Sequence, residues 1–481
     1  MNKFDLEPTK DNLIQSIKKN VTGRNSSLYN FLRLLNSQDE PLSIAITGSW
    51  GDGKTFFVKQ CQLLLDSISS SKTTSNDADI FSDCEGFADL ENIKVKHFRT
   101  AYFDAWEHDD DTDPLLSIMQ CLVQSPWPDA VKEGFTKLIN ITSLLISALT
   151  PINTEDIKKH LQEKKTEDPE QIKQDFTKEL SKLAPKDGKL IIFIDELDRC
   201  KPTYAVKLLE KIKHYFSNAN ITFIFSVDLD QLQHTIKNYY GDGFDGLQYL
   251  DRFFDLVIPL PEPDIDRYFE NTNGLLEVDS LFKSESGNSY YQRFCINLIR
   301  KFNFSLRQIN HFYLKANSSG YAFIEHILDP NSIYSRSEKH GSFIIYAFFL
   351  PFMNALIESD ITQYQAFING NASNSLLKLI AEDPEFIMYF NNFIDTNQSP
   401  EMSSNISGNI PDIQENTQAV IDIYDAIFGD HDKPIEFVKI SNKCLVDSPS
   451  QFRKILIEAC SLLSPSAKFD FSDQDDPSSL H

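Results

Sequence analysis

The chain has 481 residues, with 46 Lys plus Arg against 70 Asp plus Glu and a formal charge of −24. At roughly 150 residues per domain this length holds about three domains, and 41% hydrophobic residues with 37 Phe, 17 Tyr and 3 Trp supply large cores, which excludes a disordered chain. So acidic a chain repels phosphate backbones, and nucleic acid is not an expected partner without a local basic groove.

An amphipathic helical opening is predicted from about Leu13 to Leu35. Gln38-Asp39-Glu40-Pro41 ends it, before the run Leu42-Ser43-Ile44-Ala45-Ile46-Thr47, which is short, apolar and bounded by breakers like a buried parallel strand. A helix is expected from Phe56 to Leu65. Residues 66–90, rich in Ser, Thr and Asp, read as a flexible excursion before a second strand, Val95 to Phe103. From Leu115 to about Leu183 the pattern is helical, with a charged, solvated section from Glu155 to Lys182. Strands follow at Lys189 to Ile194, Ile221 to Val227 and Leu256 to Leu260. Strands alternating with helices predict an α/β fold, a parallel sheet flanked by helices.

Beyond Pro263 the strand signals fade. Tyr290 to Phe302, Ser305 to Leu314 and Phe343 to Leu356 carry apolar residues at helical spacing, with a break expected at the polar stretch Asp395 to Glu415. The resulting plan is a helical lead-in at 1–40, a core at 41–263 with a helical insertion at about 115–183, a helical carboxy-terminal region at 264–465, and an acidic disordered tail at 466–481.

Two apolar stretches, Phe135 to Pro151 and Ser342 to Ile357, are shorter than the roughly 20 residues of a membrane helix. They contain Lys137 and Asn140, or Pro351 and Asn354, so buried helices and no integral membrane segment are expected. The seven cysteines form no C-x-x-C pair and the amino terminus lacks an apolar export core, so a reducing cytoplasm is the expected location.

Gly48-Ser49-Trp50-Gly51-Asp52-Gly53-Lys54-Thr55 fits G-x-x-x-x-G-K-[ST] between a predicted strand and a predicted helix, the context that confirms a phosphate loop. Glycines let successive N–H groups converge on a phosphate, and the following helix, predicted to open at Phe56, turns its positive end to the same anion. Lys54 supplies a charge between the β- and γ-phosphates of ATP, and the Thr55 hydroxyl is placed for Mg²⁺. Trp50 and Asp52 are not phosphate ligands by type, and the acid at 52 must point away.

Five apolar residues put Asp195 at the carboxyl end of the strand Lys189 to Ile194, where it can hold the metal's water shell, with Glu196 as general base. Asp228 or Ser226, at the tip of the next strand, is the candidate γ-phosphate sensor, and a helix cap is the alternative for Asp228. The acidic run Trp106 to Asp113 reads as a solvated loop rather than a metal site, and the Phe-rich stripes after residue 300 as core or subunit interface.

Asp195-Glu196-Leu197-Asp198-Arg199-Cys200 resembles the signature of the KAP family of P-loop NTPases. Gly48 to Thr55, Phe103-Asp104-Ala105-Trp106, Phe225 to Asp228, and Gln248 to Arg252 leading to Pro259-Leu260-Pro261 fit in order, over about residues 20–315. The resemblance implies an ASCE-type core with an extra strand between the two Walker strands, here assigned to Val95 to Asp104. It also implies ATP hydrolysis with Mg²⁺ and a bacterial anti-phage setting; no second enzymatic motif follows residue 263, so a homo-oligomer or a separately encoded effector is the expected partner. Many members insert membrane helices between the Walker motifs. This chain offers there only the short run Leu138 to Leu149. Arg199, Arg252 and Arg307 are the candidate finger or sensor arginines, and Gly23-Arg24 resembles a family position near the nucleotide. The alternatives are a nucleotide-dependent scaffold with little turnover and, against the charge, a DNA-stimulated motor.

Overall fold

The computed structural model describes residues 7–70, 84–87, 96–149, 169–185, 188–216, 221–272, 290–328, 343–395, 413–430, 437–440, 444–447 and 449–461. Its contacts divide the chain into two units, Met1–Asn271 and Thr272–His481.

In the first unit, helices α1 (Lys10–Lys19) and α2 (Asn25–Ser37) precede β1 (Ser43–Thr47) and α3 (Lys54–Ser70). Then come β2 (His97–Asp104), α4 (Pro114–Gln124), α5 (Asp129–Leu149), α6 (Pro169–Ser181), β3 (Gly188–Asp195), α7 (Pro202–Phe216), β4 (Ile221–Val227), α8 (Leu229–Tyr240), α9 (Gly246–Leu250), β5 (Leu256–Pro259) and α10 (Ile265–Thr272). All the strands pair in parallel, in the order β2-β3-β4-β1-β5. Every residue of β3 and β4 is buried, as strands covered on both faces require.

The two-residue period splits each strand between two cores. Ile44, Ile46, Ile191, Phe193 and Ile224 pack with α1, α2 and α3. Ala45, Leu190, Ile192, Ile194, Phe223 and Phe225 pack with residues of α4 to α8 on the other face.

Two expectations need correction. The strand lying between β1 and β3 is β4, whereas β2, assigned that place from the sequence, is an outer strand of the sheet. The helical opening is two helices rather than one. Asn20 ends α1 in the left-handed region at φ 48°, and Gly23 follows at φ 69°.

Gly23 has a reason to lack a side chain. A Cβ there would lie 2.5 Å from the Cβ of Asp264, whose N–H donates to the Thr22 carbonyl at 2.9 Å. Gly23→Ala therefore combines a left-handed backbone with a clash, and is expected to cost about 2 kcal/mol. Denaturant titration checks it: an unchanged midpoint would show that this junction yields freely.

The second unit is built from helices including Tyr290–Lys301, Leu306–Leu328, Leu350–Ser359, Ile413–Phe428 and Pro449–Ser461. Pro351 has no N–H for an ordinary helical bond, and the preceding turn, Ile345–Phe349, is π-helical, with the Leu350 N–H reaching Ile345 O. Phe304, Phe312, Phe348, Phe349 and Phe352 are buried, so these rings serve packing and not a stacking platform. A short antiparallel strand pair, Phe437–Ile440 with Cys444–Asp447, lies within this otherwise helical region.

Most of the predicted excursion at 66–90, the charged section from 155 to 168, most of the polar break and the acidic tail lie outside the described residues. Among the described residues, no helix is long and apolar enough to cross a membrane.

Candidate functional site

β1 ends at Thr47, α3 begins at Lys54, and the loop between them turns on glycines: Gly51 has φ 93° and Gly53 φ 86°, which side chains strongly disfavour. Asp52 turns its carboxylate onto its own loop, where Oδ2 accepts the Ser49 N–H at 2.8 Å. Arg24, 3% exposed, donates from Nη1 to the Asp52 carbonyl at 2.9 Å. Burial lowers that guanidinium to about 10, against the opposing charge of Asp52. Lys54 folds back, its Nζ donating to Gly48 O at 2.8 Å and Ser49 O at 3.2 Å. Thr55 is half-buried in the first turn of α3. The Phe56 ring is buried, so its main-chain N–H is the polar group it can offer there.

The register sets the acids beside this loop. Asp195 pairs with Ser226 and Ser226 with Ile46, so Asp195 stands two strands from the end of β1, about 10 Å across the sheet. Alternation puts Asp195 and Ser226 on the same face as Phe193 and Ile224, the face that α3 covers. Asp195 is 1% exposed; its Oδ2 accepts the Tyr102 hydroxyl at 2.7 Å and its Oδ1 the Glu196 N–H at 3.0 Å. Burial, then the Asp195 charge, push the Tyr102 phenol far above its ordinary pKa, so it remains a donor.

Glu196 sits in the left-handed region at φ 58°, a costly place for a side-chain-bearing residue and one typical of functional sites. Burial and then repulsion by Asp195 raise its carboxyl to about 7, and Arg199 opposes the rise. Arg199 is ion-paired with Glu196 through Nε. Its guanidinium also lies 5.7 Å from the Trp50 ring centroid and 5.5 Å from that of Trp106, and both rings are about half exposed. The Trp50 indole N–H donates to Asp198 Oδ2 at 2.6 Å, tying the glycine loop directly to the acidic turn after β3. Burial raises Asp198, with the Trp50 bond and the Lys54 charge opposing. Asp198 Oδ1 and Ser226 Oγ are both buried without a hydrogen-bond partner.

Asp228 caps α8, accepting the N–H groups of Asp230 at 3.1 Å and Gln231 at 3.2 Å. Arg252 is exposed in the turn after α9, and three residues on Asp255 holds the Ser43 N–H at the start of β1. Arg252 is thus at the sheet's amino edge, opposite the loop. Arg307 is exposed in the first turn of Leu306–Leu328, in the second unit. Acids of the 106–113 run are engaged in caps and ion pairs: Asp111 with His108, Asp113 with the Leu115 N–H, Asp110 with Lys201. No group of three His, Cys or acidic residues suited to a metal ion occurs among the described residues.

Three participants escaped the sequence reading: Tyr102, Trp106 as a partner of Arg199, and Asp198 as the acceptor of Trp50. Tyr102 left only a hydroxyl-bearing ring two residues before Asp104, in a strand of mixed polarity, whereas Trp106 and Asp198 stood in the segments that carry the family resemblance.

A glycine-turned loop at the carboxyl end of β1, heading α3 and one intervening strand from a buried terminal aspartate, defines a P-loop NTPase core. The KAP family P-loop domain matches residues 24–319, more than half of the chain, and the chain belongs to that family. Nucleotide binding is the activity that membership suggests. No curated protein matches the chain.

Proposed function

We propose that the chain binds ATP with Mg²⁺ at the strand-tip crevice and hydrolyses it, switching conformation or assembly. The observation that carries this reading is the Trp50–Asp198 hydrogen bond, which sets the Gly48–Thr55 loop and the Asp195–Arg199 turn against each other as facing walls. The buried, unpartnered Ser226 Oγ and Asp198 Oδ1 fit a polar ligand between those walls.

Under this reading the loop amides from Gly48 to Phe56 bind the phosphates. Lys54 would leave the carbonyls of Gly48 and Ser49 for the β- and γ-phosphates, and Thr55 and Asp195 would hold Mg²⁺ through its water shell. Mg²⁺ would supply charge neutralisation on the phosphate oxygens. Glu196 accepts a proton from the attacking water, and Ser226 reads the γ-phosphate more readily than Asp228, whose carboxylate is spent on a cap. Arg252, at the opposite edge of the sheet, serves a neighbouring copy, and Arg307 is the other candidate finger or sensor. The helical region at 264–465 carries the output of the 41–263 core to a homo-oligomer or separate effector. An anti-phage setting rests on the family likeness, and a cytoplasmic one on the cysteine pattern and the polar amino terminus.

The Glu196–Arg199 ion pair favours a second reading, a scaffold that binds ATP with its base held out of use. Phosphate release separates the two. Hydrolysis predicts steady release with Mg²⁺ and ATP that stops when EDTA removes the metal. Tight ATP binding with no release above background would leave the scaffold.

A further inference from the structure

We infer that Tyr102 is a positioning residue that fixes the carboxylate of Asp195 in the orientation the metal site needs; this rests on the ATP and Mg²⁺ reading above. Tyr102 pairs with Phe193 across β2 and β3, so Asp195, two residues on, is its diagonal neighbour on the same sheet face, within reach of an aromatic side chain. Its hydroxyl takes one oxygen of Asp195 at 2.7 Å and the Glu196 N–H takes the other at 3.0 Å. With both oxygens anchored, the carboxyl plane cannot rotate without breaking a buried hydrogen bond. The Tyr102 ring is held in turn. The Lys59 ammonium of α3 lies 4.3 Å from its centroid, and the Cys121 thiol donates to the Tyr102 carbonyl. A phenylalanine would fill the same space, so filling space does not account for the hydroxyl.

Partners that orient a metal-holding group typically change metal affinity by about 10- to 100-fold when removed. The test measures binding of a non-hydrolysable ATP analogue by calorimetry, in EDTA and over a series of free Mg²⁺ concentrations. Tyr102→Phe is expected to leave affinity in EDTA within about twofold of wild type while raising the Mg²⁺ concentration for half-maximal tightening by about tenfold or more. Combined with Asp195→Asn it should add little, because both changes disable one unit. Lys59→Gln, acting on the ring alone, should shift the Mg²⁺ midpoint the same way by less, and serves if Tyr102→Phe does not fold. An unchanged Mg²⁺ midpoint overturns the inference, as does an equal loss with and without the metal, which would mark a merely structural tyrosine. A wild-type chain that binds the analogue equally in EDTA and in Mg²⁺ removes the parent reading, and this one with it.

Discussion

Glu196→Gln is expected to lower phosphate release by roughly 100- to 10,000-fold, the range for losing a general base, while ATP binding persists. The substitution keeps the side chain's length and demands the same left-handed backbone, so the acidic turn should hold its shape. What disappears is a carboxylate able to accept a proton from water. Arg199 loses its ionic partner at the same stroke but keeps the faces of Trp50 and Trp106. Equal release by the two proteins would sink the hydrolase reading with Glu196 as its base.

Lys54→Ala should act one step earlier, on binding. Lys54 is 8% exposed, and its ammonium engages two loop carbonyls. Truncation therefore costs the fold little, about 1 kcal/mol, whereas a charge-assisted bond to phosphate is worth about 2 to 3 kcal/mol, or roughly 30- to 150-fold in affinity. Calorimetry with ATP, beside a melting curve, reads both effects. Undiminished ATP affinity would show that the glycine loop is not where the triphosphate sits.

Legibility followed the range of the forces. β3 and β4 were plain in the sequence because strands buried on both faces are unbroken apolar runs, and the glycine loop because each of its residues answers a local requirement. The break between α1 and α2 hid inside an amphipathic pattern, since Gly23 is dictated by Asp264, far along the chain. Sheet order hid for the same reason: nothing within β2 or β4 says which of them stands beside β1. The site divides likewise. Asp195 and Glu196 announce themselves by position at a strand end, whereas Tyr102, the Arg199 stack and the Asp198 bond to Trp50 exist only once separate strands and loops meet. The Phe437–Asp447 hairpin has strands of four residues each, too short to show a period.

The stretch matching the family starts at Arg24 and stops at 319, and neither limit is a safe place to cut. Ile17 of α1 is fully buried against the core around α3, the Ser16 hydroxyl takes a hydrogen bond from Gln60 at 3.2 Å, and the Asn25 amide holds the Ile17 carbonyl at 2.8 Å. A fragment trimmed to Arg24 would strip that cover from the helix whose head carries Lys54 and Thr55, and one ended at 319 would sever Leu306–Leu328 in mid-course. A working excised piece has to begin ahead of Lys10.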